Sequence, residues 1–101
     1  MTEKVLLNSG YKQFKDHARI QQDCDNFYQK VLSKNPTKCI NVYYYDKFKD
    51  DGGLDYDFEY EYIEERHGYW YKTYIWGLDK DIPYTIEDIE NILINGDLNE
   101  K

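Results

Sequence analysis

From Leu54 to Tyr62 the chain places an acid at every odd position and an apolar or aromatic residue at every even one. Side chains along a strand alternate faces at period two, so this pattern predicts an antiparallel strand with one wet and one packed face. Asp55, Asp57, Glu59 and Glu61 are expected in one row, spaced roughly 7 Å apart. Tyr56, Phe58, Tyr60 and Tyr62 are expected on the opposite face.

Three further strands are legible around it. Asn26 to Leu32 reads as a strand closed by the turn segment Ser33 to Lys38, in which Pro36 presets its own φ and pushes Asn35 out of the helical region. Cys39 to Asp46 is dense in β-branched and aromatic residues. Tyr69 to Trp76 follows a short connection, Glu64 to Gly68, with Gly68 suited to a left-handed position. Asp50-Asp51-Gly52-Gly53 reads as a loop.

The chain then turns to a helix from Ile86 to about Asn95. Thr85 is a good N-cap with Asp88 three residues on, Tyr84 and Ile89 are placed as a hydrophobic staple, and Gly96 supplies the stop. Ile86, Ile89, Ile92 and Leu93 share one face. Residues 1–25 are less legible. Tyr11, Phe14 and Ala18 fit one helical face, yet Gly10 and the polar run after it argue for an irregular lead-in with room for one short helix. The expected fold is one α+β domain over residues 1–101, a four-stranded antiparallel meander over 26–77 with a C-terminal helix (85–95) on one face.

The second face matters for function. Pairing Glu61 with Lys72 sets Tyr62, Tyr60 and Phe58 against Tyr71, Thr73 and Ile75 on the core side, and brings Trp70, Tyr74 and Trp76 onto the acidic face. A register one residue different puts Lys72 among the buried rings, which costs more. The outer face is then carboxylates interleaved with Trp and Tyr, a composition that marks binding surfaces. Glu64 and Glu65, next along the chain, thicken the charge. A solvated face that only keeps the domain soluble is the plain alternative.

Charge narrows the partner. The net charge is −7, and it is uneven: residues 1–45 hold seven bases against four acids (+3), residues 46–101 six bases against sixteen acids (−10). Direct nucleic-acid binding by the second half is disfavoured, because binding depends on neutralising phosphates. A basic protein surface is the better match. Duplex DNA carries a charge about every 3.4 Å per strand, so one carboxylate row is too sparse to imitate it without neighbours such as Asp46, Asp50, Asp51, Glu64 and Glu65.

Catalytic and metal motifs are weak. His17 and His67 are the only imidazoles and Ser9 and Ser33 the only serines, with no motif around either pairing. Asp55-x-Asp57 and Asp50-Asp51 read as surface charge rather than ion ligands, and Cys24, Cys39, His17 and His67 lack zinc-ligand spacing. The two cysteines read as two thiols rather than a disulfide. No apolar run approaches the roughly 18 residues of a membrane span, and the N-terminus is too short in apolar residues for a secretory signal. Neither catalytic residues nor cofactors are expected.

Gly10-Tyr11-Lys12-Gln13-Phe14, Tyr28-Gln29-Lys30 and Ile40-Asn41-Val42-Tyr43-Tyr44-Tyr45-Asp46 together resemble a group of short, uncharacterised early proteins of phages of Gram-positive bacteria. The Lys, Asn, Ile, Asp and Tyr bias fits an AT-rich genome of that kind. The resemblance implies a counter-defence role in the bacterial host cytoplasm, of the anti-CRISPR or anti-restriction type, some members of which mimic DNA. The partner would be a host protein with a basic nucleic-acid-binding surface, a CRISPR effector or restriction enzyme. The candidate partner-binding residues are Asp55, Asp57, Glu59, Glu61, Glu64, Glu65, Trp70, Tyr74 and Trp76. The other reading is a non-enzymatic assembly module that homodimerises through the same aromatic face.

Overall fold

The structure is a computed structural model and describes residues 1–14, 24–48 and 53–96. His17, Ala18 and most of the Asp50–Gly53 loop lie outside the described residues.

The fold is α+β. Five strands form one antiparallel sheet in chain order: β1 (Lys12–Phe14), β2 (Asn26–Lys34), β3 (Thr37–Tyr44), β4 (Leu54–Arg66) and β5 (Tyr69–Asp79). Among the described residues two α-helices, α1 (Glu3–Asn8) and α2 (Ile86–Asn95), accompany it. The meander and C-terminal helix are as the sequence predicts, but among the described residues there are five strands rather than four. The missed strand, β1, has three residues, too few to display a period of two. It forms because Gly10 reverses the chain at φ 92 after α1 and lays Lys12 to Phe14 against Gln29 to Phe27. The expected shared helical face of Tyr11 and Phe14 is therefore replaced by a loop residue and a strand residue.

The hairpins are tighter than the sequence reading has them. Strands β2 and β3 run up to a turn at Asn35-Pro36, whose peptide is cis. Between β4 and β5 only His67 and Gly68 are unpaired, and both have positive φ (52 and 83), the backbone of a type I′ turn that matches sheet twist. This short turn draws Glu61 opposite Tyr74, not Lys72. The register differs from expectation by two residues. A shift of two preserves the faces, so Trp70, Tyr74 and Trp76 still share the face of Glu59, Glu61 and Glu65.

Both helices cover the same side. Leu6 from α1 and Ile86, Ile89 and Leu93 from α2 close over Tyr28, Ile40, Val42, Phe58, Tyr60 and Tyr62. The predicted capping box of α2 is complete, with Asp88 N donating to Thr85 Oγ1 (3.1 Å) and Thr85 N to Asp88 Oδ2 (2.9 Å), and Gly96 is left-handed. Tyr11 O–H (2.8 Å) and Lys30 Nζ (3.0 Å) both donate to Glu90 Oε2 and tie α2 to the β1–β2 end of the sheet. The opposite face carries a smaller cluster, Phe27, Tyr43 and Tyr45, with Phe14 and Cys24 packed against it.

Candidate functional site

The open face is a lattice built by strand pairing. One row runs Phe14, Phe27, Tyr43, Glu59, Trp76 across the five strands, and the next runs Lys12, Gln29, Asn41, Glu61, Tyr74. Beyond them Ile63 lies opposite Lys72 and Glu65 opposite Trp70. The β1 side of this lattice is packed; the β5 side is wet. Trp70, Tyr74 and Trp76 are 58%, 53% and 49% exposed.

The carboxylates here are held, not loose. Asn41 Nδ2 (2.9 Å) and the Tyr43 hydroxyl (3.0 Å) donate to Glu61 Oε1, and Glu61 is buried. Gln29 Nε2 donates to Asn41 Oδ1 at 2.8 Å, so a polar relay from β2 to β4 ends on this carboxylate. Tyr74 lies opposite Glu61, and hydrogen bonding toward that carboxylate, then burial, raises the Tyr74 hydroxyl. Burial foremost, then the Glu61 charge, pushes the Tyr43 hydroxyl and the Cys39 thiol up as well. Glu59 accepts from Tyr45 O–H at 3.0 Å. Trp76 Nε1 donates to the Tyr56 carbonyl (2.8 Å), and its indole meets the Tyr56 ring edge-on at 5.4 Å.

Asp55, Asp57 and Glu64 are not part of this face. Between Asp55 and Glu59 the pairing with β5 slips, with Asp55 opposite Leu78 and Glu59 opposite Trp76. Four steps along β4 match two along β5, and the alternation breaks on both strands: between Asp57 and Phe58, and at Gly77 (φ 78), beyond which Leu78 packs against the helix-side core. Tyr56 thereby turns to the open face against Trp76, while Asp57 turns to the helix side with Met1, Glu3 and Tyr44. Asp55 lines a cleft of about 160 Å³ with Leu78, Lys80, Tyr84 and Ile89. Burial, then the hydrogen bond and charge of Asp57, push the Asp55 carboxyl up to about 7. Asp57 Oδ1 and the nearby Tyr60 hydroxyl are buried with no hydrogen-bond partner among the described residues.

Glu64 lies on the helix side by strict alternation, paired with Arg66 and accepting from Tyr62 O–H at 2.7 Å. Arg66 foremost, then Tyr62, lowers it to about 2. The expected single row of four carboxylates is therefore corrected: the structure gathers Glu59, Glu61, Glu65, Trp70, Tyr74 and Trp76, and separates Asp55, Asp57 and Glu64. Asn41, Tyr43, Tyr45 and Tyr56 belong to the site and were not singled out. Tyr43 and Tyr45 were legible as strand residues, but their hydroxyl partners lie on another strand.

No protein-family model matches the chain, and no curated protein or solved structure does. The geometry is thus the ground for a functional reading. Among the described residues no group of three or more His, Cys, Asp or Glu is placed to hold a metal ion, and no helix is long and apolar enough to cross a membrane. The clefts of about 160 and 210 Å³ are smaller than the few hundred Å³ that bury a drug-sized ligand. The extended feature is the aromatic, carboxylate-bearing face.

Proposed function

We infer that this chain is a non-enzymatic binding protein that docks its open sheet face on a basic protein surface, and that the surface is the nucleic-acid-binding one of a host nuclease. This is an anti-defence inhibitor role. The observation that carries it is the exposed pair Trp70 and Tyr74, opposite Glu65 and the buried, hydrogen-bonded Glu61. An Arg or Lys of the partner gains a ring face and a carboxylate together, and exclusion of water strengthens both contacts. The net charge of −7 steers the encounter. The acids here are fewer and more hydrogen-bonded than in a phosphate-like row, so the aromatic anchors dominate this reading and close imitation of duplex DNA does not.

The test is capture from host lysate with wild type and with a Trp70→Ala, Tyr74→Ala double variant. Wild type is expected to retain a nuclease that added nucleic acid displaces and that rising salt releases. The double variant is expected to lose it while keeping its thermal midpoint. A complex indifferent to salt, or one the double variant keeps, would sink the reading.

A further inference from the structure

Strand β5 is the outer strand of the sheet, and among the described residues nothing pairs with its far side. It is eleven residues long, about twice the usual strand, and its pairing with β4 is unbroken from Tyr69 to Trp76. It has no proline, and its break at Gly77 (φ 78) lies beyond the Tyr69 to Trp76 run. Edges of this kind are normally blunted, because their free N–H and C=O groups template another strand. The other edge is blunted: β1 has three residues.

We propose that the β5 edge pairs antiparallel with the β5 edge of a second copy of this chain, about a two-fold axis at Thr73. Only a two-fold perpendicular to the sheet brings two identical edges together antiparallel. It keeps each face on its own side, so opposed residues must share parity. Centring on Thr73 sets Lys72 opposite Tyr74, Trp70 opposite Trp76 and Tyr71 opposite Ile75 of the other copy.

The chemistry is self-complementary in that register. Lys72 is the one cation on β5, and Tyr74, paired with Glu61 on β4, is what it meets across the axis. Centring one residue earlier sets Lys72 against its own copy, which like-charge repulsion disfavours. The contact is isologous and closes as a dimer instead of propagating as a fibre. It uses the strand's edge, so the open face remains available and is doubled into a ten-stranded sheet. The inference is independent of the docking role.

Each copy carries −7, so dimerisation works against long-range repulsion and tightens as salt is added, opposite in sign to docking on a basic partner. Sedimentation equilibrium over protein and salt concentration tests this. Thr73 is exposed, so Thr73→Lys and Thr73→Glu leave the core intact while placing like charges at the axis. Wild type is expected to be a dimer that strengthens with salt. Each variant alone is expected to weaken by up to about fivefold, and their equimolar mixture to recover wild-type association. Wild type that stays monomeric at every concentration and salt, variants that dimerise like wild type, or a mixture without recovery would each overturn the proposal. Circular dichroism of the variants separates lost pairing from lost folding.

Discussion

Asp57 and Phe58, neighbours in β4, face the same side of the sheet: Phe58 is buried in the helix-side core and Asp57 lines the adjoining cleft with Met1 and Tyr44. Of the four acids that alternate from Asp55 to Glu61, this break leaves only Glu59 and Glu61 on the open face. It also brings Asp57 beside Asp55 on the helix side, Asp57 lining one cleft and Asp55 a second, partly buried pocket with Leu78 and Tyr84.

That pocket makes folding stability depend on pH. The Asp55 carboxyl stands near 7 when folded and in the ordinary carboxylate range when unfolded, so the folded state binds the extra proton between those values. Its contribution is fully present below the unfolded pKa and is lost as pH rises through about 7. The thermal midpoint is expected to rise as pH is lowered from about 7 toward about 5, and Asp55→Asn to flatten that slope. Below the ordinary carboxylate range Glu64 acts the other way: its folded pKa is near 2, so its contribution is lost on further acidification. A midpoint that falls steadily from neutrality to acid would refute the Asp55 assignment.

Glu61 is expected to be more important for folding than its place on an acidic strand implies. Glu61→Ala strands the buried donors of Asn41 and Tyr43, and a loss of about 2–4 kcal/mol follows from two unmet hydrogen bonds. Glu61→Gln keeps one acceptor oxygen and loses less. Chemical denaturation of the two variants checks the order. Glu61→Lys for the same reason measures folding before it measures binding.

Gly77 has φ 78, and a Cβ there would stand 2.7 Å from Tyr56 Cε1. Gly77→Ala is expected to cost about 2–3 kcal/mol, part steric and part dihedral. Adding Tyr56→Ala relieves the steric part only. If the double variant is no better than the sum of the singles in a denaturation cycle, the ring is not what constrains this glycine.

Tyrosine makes the fold alkali-sensitive. Burial first, then neighbouring carboxylates, raises the hydroxyls of Tyr11, Tyr28, Tyr43 and Tyr60 above the usual phenol range. Tyr44 and Tyr62 are each pushed up to about 12. Stability present below about pH 10 is therefore lost as pH rises beyond it, since the unfolded chain releases those protons first. Tyrosinate absorbance is expected to gain a step that coincides with loss of the circular dichroism signal. A smooth titration of all twelve tyrosines ahead of unfolding would contradict the burial.

The amino-acid sequence alone determined the elements whose signals are local. Alternation marked β4 from Leu54 to Tyr62, Thr85 to Gly96 carried both caps of α2, and face parity put Trp70, Tyr74 and Trp76 with Glu59 and Glu61. Parity survives an even register shift, which is why those five site residues were legible though the pairing was two residues off. Tertiary structure decided the rest. β1 is three residues that become a strand only against β2, and the bulge that sends Asp55 and Asp57 to the helix side is a property of the β4–β5 pair. Glu61 reads as a solvated acid until Asn41 and Tyr43 are laid beside it by β3. A strand's own residues state which way they alternate; only its neighbours state where that alternation breaks and which polar groups it buries.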